Sequence, residues 1–86
     1  MIRLLCRNKV ADFAKWKSAF DSHAEAQEAA GLVLENLWRS IDDPNEVFFL
    51  FHVSDLEGAK AFTSSGTAEE AAEKYGVLDG NLWFVE

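Results

Sequence analysis

Two polar residues, His23 and Gln27, lie within the apolar stripe of a predicted helix whose Phe13, Trp16 and Phe20 point to the core. Polar groups in such a place need hydrogen-bond partners. They either line a pocket, with His23 available for proton transfer near neutral pH, or they are satisfied by a backbone carbonyl or a neighbouring side chain. We take His23 as a candidate catalytic residue and Gln27 as a candidate ligand-binding residue, and the packing alternative stays open.

A second candidate pair comes from a predicted hairpin. Closing its turn around Asp43-Pro44 places Glu35 opposite His52 and Trp38 opposite Phe49. A carboxylate beside an imidazole raises its basicity and fixes its tautomer, which is half of a catalytic arrangement. The same pairing is also an ordinary way to satisfy polar residues at the end of a hairpin. His52 is therefore a candidate ligand-binding residue with a structural alternative.

Several aromatic residues could surround a planar ligand, because ligand pockets are mostly apolar with a few polar groups. They could equally be core residues, and the two interpretations agree if the core is incompletely filled. From this set we take Trp16 and Trp38 as candidate ligand-binding residues. The whole set is Trp16, Trp38, Phe49, Phe51, Tyr75 and Trp83.

No metal or cofactor site is recognisable in the sequence. The two histidines, one cysteine and the acidic residues show none of the spacings that identify metal ligands. There is no glycine-rich phosphate loop, which disfavours nucleotide cofactors. Cys6 alternates onto the same side as Ile2 and Leu4, so it is expected to be a small buried hydrophobe and not a nucleophile. We expect no metal and no cofactor.

Composition sets further limits on the function. With 86 residues and 9.6 kDa, the chain is predicted to be a single domain, residues 1–86. Its net charge of -7 repels phosphate backbones, so nucleic acid is not an expected partner. The longest apolar run, residues 47–51, is far too short to cross a membrane. One cysteine and no signal-peptide pattern predict a reduced, cytoplasmic protein.

The elements that must position these residues follow the order βαββαβ. The short apolar runs and turn formers predict strands, and the stripes at three- and four-residue spacing predict helices. Asp12 is the predicted N-cap of the first helix, and residues 54–57 form a predicted capping box at the start of the second. The second helix is expected to be interrupted at residues 64–66 and to resume at a second capping box, residues 67–70, with an apolar stripe of Ala68, Ala71, Ala72 and Tyr75. The turn formers Asp79-Gly80-Asn81 are expected to precede the last strand. The predicted elements are strands at 2–8, 32–41, 46–53 and 82–85, one helix at 12–30, and a second in two parts near 54–63 and 67–75.

This order is the ferredoxin-like split βαβ pattern, an α+β fold in which a four-stranded antiparallel sheet carries its helices on one face. The other face is expected to be apolar as well, since the third strand places Phe48 and Leu50 opposite Phe49 and Phe51. One contiguous apolar patch would then be exposed in a monomer. We predict a homodimer formed through the sheet face, and a monomer with scattered surface aromatics is the alternative.

The sequence resembles the dimeric α+β barrel superfamily of antibiotic-biosynthesis-monooxygenase-like proteins, and most of all its small uncharacterised branch. The resemblance implies a barrel built from two subunits' sheets and, in enzymatic relatives, a pocket between the sheet and the helices of each subunit. It runs over nearly the whole chain, and its motifs are specific for fold and vague for chemistry. The residues that carry it are 11–17 (ADFAKWK), 20–23 (FDSH), 39–47 (RSIDDPNEV), 56–62 (LEGAKAF) and Gly76-Val77.

Two hypotheses about function remain at this point. The first is a small cofactor-independent enzyme of the monooxygenase or cyclase type, or a binder of a small apolar metabolite, with its pocket around Trp16, His23, Gln27 and Trp38. The second is a homodimeric scaffold or regulatory module whose interior is fully packed. A cavity of several hundred Å³ touching His23 would favour the first hypothesis.

Overall fold

A computed structural model of the protein describes residues 1–64 and 73–86 and has the predicted α+β architecture. Its four strands form one antiparallel sheet in the order β2-β3-β1-β4, as expected for the ferredoxin-like pattern. The predicted second capping box at 67–70 and the apolar stripe of Ala68, Ala71 and Ala72 lie outside the described residues. The elements are β1 (Arg3–Val10), α1 (Phe13–Ser22), α2 (Ala24–Ala29), β2 (Leu32–Arg39), β3 (Glu46–Val53), α3 (Leu56–Ser64) and β4 (Val77–Val85).

The predicted helix at 12–30 is present but divided at His23 into α1 and α2. Asp12 caps α1 as predicted, its side chain accepting hydrogen bonds from the backbone N–H groups of Ala14 and Lys15. The His23 N–H bonds to the Phe20 carbonyl, which ends α1, and the Gln27 N–H bonds to the His23 carbonyl, which starts α2. The break therefore leaves the i, i+4 relation between His23 and Gln27 intact.

Gly31 closes this helical segment in a left-handed conformation, with φ of 87°. A side chain here would be strained by that φ and would also collide with Asp55, whose Cβ lies 2.8 Å from the position of an added Cβ. Asp55, and not Ser54, caps α3, because its Oδ1 accepts from the Gly58 N–H. The N-cap thus lies one residue later than predicted, and the capping box predicted at 54–57 is not formed, because Gly58 at the third helical position has no side chain to complete it.

The predicted register of the hairpin is wrong by one residue. Trp38 pairs with Phe48 instead of Phe49, and a bulge at Glu35 shifts the rest of β2 again, so that Val33 pairs with His52. The loop between β2 and β3 has six residues, 40–45, and is closed by a hydrogen bond from the Ser40 N–H to the Glu46 carbonyl. A turn at Asp43-Pro44 within so long a loop does not fix the register of the two strands. Neither Trp38 nor Glu35 has the predicted cross-strand neighbour.

The last strand is longer than predicted, because β4 begins at Val77 and includes the expected turn residues Asp79, Gly80 and Asn81. These residues pair with β1, and Arg7 donates hydrogen bonds to Asp79 and Asn81. Pairing along a central strand outweighs the turn propensity of these residue types.

The core lies between the sheet and the helices, and no described helix covers the opposite face of the sheet. Trp16, Phe20, Phe49 and Phe51 form an aromatic cluster in the core, with ring centroids 4.7 Å apart for Trp16 and Phe20 and 5.2 Å for Phe20 and Phe49. The uncovered face, which we call the open face, carries Val33, Trp38, Phe48, Leu50, Trp83 and Val85. Trp38 is 49% exposed and Trp83 is 48% exposed. Both faces of the sheet are therefore apolar, as predicted.

Among the described residues, no helix combines the length and the apolar character that a membrane span requires.

Candidate functional site

A cavity of about 550 Å³ lies between the helices and the sheet. Strands β1 and β3, helices α1, α2 and α3, and the start of β4 all contribute to its wall. Most lining side chains are apolar or aromatic, and no Asp, Glu, Lys or Arg is among the described lining residues. The polar side chains on the wall include those of Asn8, His23, Gln27, Thr63 and Tyr75. This composition suits a neutral, largely apolar ligand of small to moderate size.

His23 lies where α1 meets α2, and its hydrogen bonds define its tautomer. The Ser22 hydroxyl donates to the Ala19 carbonyl oxygen at 2.6 Å, and His23 Nδ1 lies 3.2 Å from the same oxygen. A carbonyl oxygen only accepts, and the Ser22 hydroxyl, which lies 3.2 Å from Nδ1, gives its own proton to that carbonyl; we therefore assign the proton of the neutral ring to Nδ1, which donates it. Nε2 is then an acceptor, and it has no hydrogen bond with any described residue. A backbone carbonyl thus satisfies one ring nitrogen and leaves the other available.

Gln27 is only 9% exposed, and its carboxamide makes no hydrogen bond with any described residue. Two further polar atoms in the cavity wall, Trp16 Nε1 and the Tyr75 hydroxyl, are enclosed by protein and also lack partners in the described part of the chain. Each such group costs about 1–3 kcal/mol when it is buried unpaired. The wall therefore contains hydrogen-bonding capacity that the fold itself does not use.

Tyr75 packs its ring edge-on against His23, with centroids 5.1 Å apart. Burial raises the pKa of the Tyr75 phenol, so the hydroxyl stays neutral at physiological pH. Beside His23, the wall therefore offers a neutral hydroxyl, and none of its described side chains is negatively charged.

Asn8 is a cavity residue that the sequence analysis missed. It lies on the helix side of β1, and the opposite position in β4 is Gly80, where an added Cβ would lie 2.8 Å from Asn8 Oδ1. The predicted strand ends at residue 8, which puts Asn8 at its terminus, whereas β1 continues to Val10. The sequence does contain a signal for this position, because alternate residues of a strand lie on one face, and Asn8 therefore shares a face with Leu4 and Cys6.

The structure brings together three of the five predicted site residues. Trp16, His23 and Gln27 line the cavity, whereas Trp38 and His52 do not. Both lie on the open face, Trp38 beside Phe48, and His52 between Arg3 and Val33. The one-residue change of register places Trp38 on the Phe48 side of the sheet instead of the Phe49 side.

The predicted pair of Glu35 and His52 is also wrong. Glu35 forms an ion pair with Arg3 at 2.8 Å, and the residue of β2 that lies opposite His52 is Val33. The one-residue shift at the loop already separates the two residues, and the bulge removes Glu35 from the regular pairing of β2 with β3.

Cys6 is buried in the core, and burial raises the pKa of its thiol to about 12. Because the thiolate is the reactive form, we expect iodoacetamide to label the native protein at pH 8 at least about a hundred times more slowly than the protein unfolded in guanidinium. Mass spectrometry of timed samples measures both rates. Equal rates would show that Cys6 is accessible and reactive in the native state.

Among the described residues, no group of three or more His, Cys, Asp or Glu side chains is arranged to hold a metal ion.

Comparison with known proteins connects this fold to solved structures. No protein-family model matches the sequence, and the search of curated proteins found no match. A candidate antibiotic biosynthesis monooxygenase from Bordetella bronchiseptica has a TM-score of 0.79 and 14% identity, covering 99% of this chain and 94% of that chain. A similar candidate from Deinococcus radiodurans has a TM-score of 0.72 and 14% identity, covering 100% and 91%.

A third similar structure is SnoaB from Streptomyces nogalater, described as a cofactor-independent oxygenase and solved as a single-residue variant. Its TM-score is 0.73 at 18% identity, covering 99% of this chain and 90% of that chain. At sequence identities this low, the structural similarity establishes a shared fold and no shared function. The chain has the ferredoxin-like α+β fold of antibiotic-biosynthesis-monooxygenase-like proteins, which confirms the expected fold.

Proposed function

We propose that this protein is a cofactor-independent enzyme of the monooxygenase type that binds a small, neutral, mainly apolar molecule in the cavity beside His23. The observation that carries the proposal is a cavity of about 550 Å³ against which His23 presents one hydrogen-bonded and one unpaired ring nitrogen. The shared fold with a cofactor-independent oxygenase supports the reaction type. The alternative of a fully packed scaffold does not account for this volume.

The chemistry assigns His23 the role of proton acceptor. A substrate methylene group acidified by a neighbouring ketone reacts through its enol: the enol hydroxyl gives its proton to Nε2, and the electron pair then shared with the former methylene carbon reduces molecular oxygen. One methylene group and one oxygen molecule give one ketone and one water. The carbon exchanges its two C–H bonds for a C=O bond to one oxygen atom, and the other oxygen atom leaves as water with both hydrogens. The Ala19 carbonyl holds Nδ1–H in place and stabilises the imidazolium that forms.

We also propose that two chains pair through the open face. Trp38, Trp83 and Val85 are exposed on it, and burying side chains of this size is worth about 1.5–3 kcal/mol each. The charged groups of the same face are paired within the chain, Arg3 with Glu35 and Arg7 with Glu46 and Asp79. Burying such a face in a dimer interface has a smaller desolvation penalty than burying a face with unpaired charged side chains.

The test combines ligand binding with turnover, using anthrone, whose methylene group lies between aromatic rings and is acidified by a ketone. We expect anthrone to raise the melting temperature of the wild-type protein by a few degrees when it is present well above its Kd. An oxygen electrode should record the oxygen that is consumed as anthrone is converted to anthraquinone. The variant His23→Phe keeps an aromatic ring at the same place and should lose about 100-fold in turnover while remaining folded.

Lys15→Ala is the matched control, because Lys15 is exposed on the same helical segment, and it should retain the wild-type rate. If the interior is packed and His23 is structural, His23→Phe melts several degrees lower and no compound shifts the wild-type midpoint. That result would overturn the proposal. Unchanged turnover in His23→Phe would remove His23 from the reaction.

A further inference from the structure

Gln27 and His23 lie one helical turn apart, and both side chains line the same cavity. The Gln27 N–H bonds to the His23 carbonyl at 3.0 Å, which shows that the helical relation between them survives the break. Residues at this spacing have Cβ atoms about 5–6 Å apart on one side of a helix. Their side chains can therefore reach the same ligand atom.

The hydrogen-bonding roles of the two side chains are complementary. His23 Nε2 is an acceptor because Nδ1 donates to the Ala19 carbonyl, so Nε2 requires a ligand donor. Gln27 is nine-tenths buried as a residue, and its carboxamide, which has no hydrogen bond with any described residue, supplies two N–H donors and one acceptor. A hydroxyl group is the small neutral group that donates one hydrogen bond and accepts another.

We propose that His23 and Gln27 together recognise one hydroxyl group of the ligand, which donates to His23 Nε2 and accepts from the Gln27 carboxamide. This inference rests on the proposed binding of an apolar molecule in the cavity and specifies its class: a neutral aromatic molecule with a phenolic or enolic hydroxyl. The wall of aromatic rings, with Trp16 and Phe20 stacked at 4.7 Å, suits a planar ring system.

The absence of charged side chains from the described lining residues supports a neutral ligand. A carboxylate or phosphate moved into such an environment would lose its hydration without gaining an ion pair, which is costly. An anionic analogue should therefore bind worse than the hydroxyl compound, although it has more oxygen atoms to accept hydrogen bonds.

Four probes that share one ring system test the inference by isothermal titration calorimetry: 1-naphthol, 1-methoxynaphthalene, 1-methylnaphthalene and 1-naphthoate. We expect 1-naphthol to bind about tenfold more tightly than 1-methylnaphthalene, because its hydroxyl makes two hydrogen bonds that the methyl group cannot make. The methoxy compound, which cannot donate, should resemble the methyl compound, and 1-naphthoate should bind most weakly.

Two variants show which residues provide the selectivity. In Gln27→Met and in His23→Phe, the preference for 1-naphthol over 1-methylnaphthalene should disappear while the affinity for 1-methylnaphthalene stays within about twofold. Glu28→Gln, a substitution at the exposed neighbouring position, should keep the preference. Far-ultraviolet circular dichroism and the retained affinity for 1-methylnaphthalene confirm that the variants are folded.

The outcomes separate the hydroxyl inference from the proposed function. If all four probes bind equally, or if the preference survives in both variants, the cavity binds apolar molecules but His23 and Gln27 do not recognise a ligand hydroxyl. If none of the probes binds, both proposals are overturned: the recognition of a hydroxyl group by His23 and Gln27, and the binding of apolar molecules in the cavity.

Discussion

Phe51→Ala is expected to lower the free energy of unfolding by about 3–5 kcal/mol, the usual cost of removing a buried phenylalanine ring. Phe51 is 3% exposed in the central strand β3, flanked by β2 and β1. Its ring lies 5.6 Å from that of Phe49 and 6.1 Å from that of Phe20, so its loss removes contacts to the sheet and to α1. Guanidinium unfolding followed by tryptophan fluorescence measures the effect.

Lys15→Ala is the control for this experiment, because Lys15 is exposed and replacing it should change the stability by no more than about 0.5 kcal/mol. Both variants must be measured at one protein concentration, since dimerisation would make the midpoint depend on concentration. Equal midpoints for the two variants would contradict the central position of Phe51 in the core.

Trp83→Asp is expected to convert a dimer into a monomer. Wild-type protein should give a mass of about twice 9.6 kDa in light scattering at micromolar concentration, and the variant should give 9.6 kDa. Trp83 lies on the open face beside Leu5, and an unpaired carboxylate there would be desolvated in the interface. We expect the dimer to weaken by at least about 100-fold, or about 2.7 kcal/mol.

Ile41→Asp is the matched control, since Ile41 is fully exposed in the loop between β2 and β3 and undergoes the same apolar-to-acidic change. It should remain a dimer. A wild-type mass near 9.6 kDa would contradict pairing through the open face, and so would a dimer that is unaffected by Trp83→Asp.

The candidate site was predictable where it depends on local helical geometry. Trp16, Phe20, His23 and Gln27 follow one another at spacings of four, three and four residues, and this periodicity alone places them on one side of a helical segment. Even the break at His23 did not separate them, because the Gln27 N–H still bonds to the His23 carbonyl.

The residues assigned through long-range strand pairing were placed wrongly. The predicted hairpin made His52 a candidate and placed Trp38 opposite Phe49, and a loop of six residues together with the bulge at Glu35 changed the register of that hairpin. Side chains of a strand alternate between faces, so a shift of one residue carries Trp38 across the sheet and gives His52 a different neighbour. Asn8 was missed because its place in the cavity depends on how far β1 continues beside β4.

The amino-acid sequence by itself determined the order of the elements, the α+β class, the apolar character of both sheet faces and the helical part of the site. These follow from periodicity, caps and composition, which act over a few neighbouring residues. Only the tertiary structure decided the strand register and the cavity. Each of these depends on where atoms from separate segments meet within a few Å, and local patterns do not contain that information.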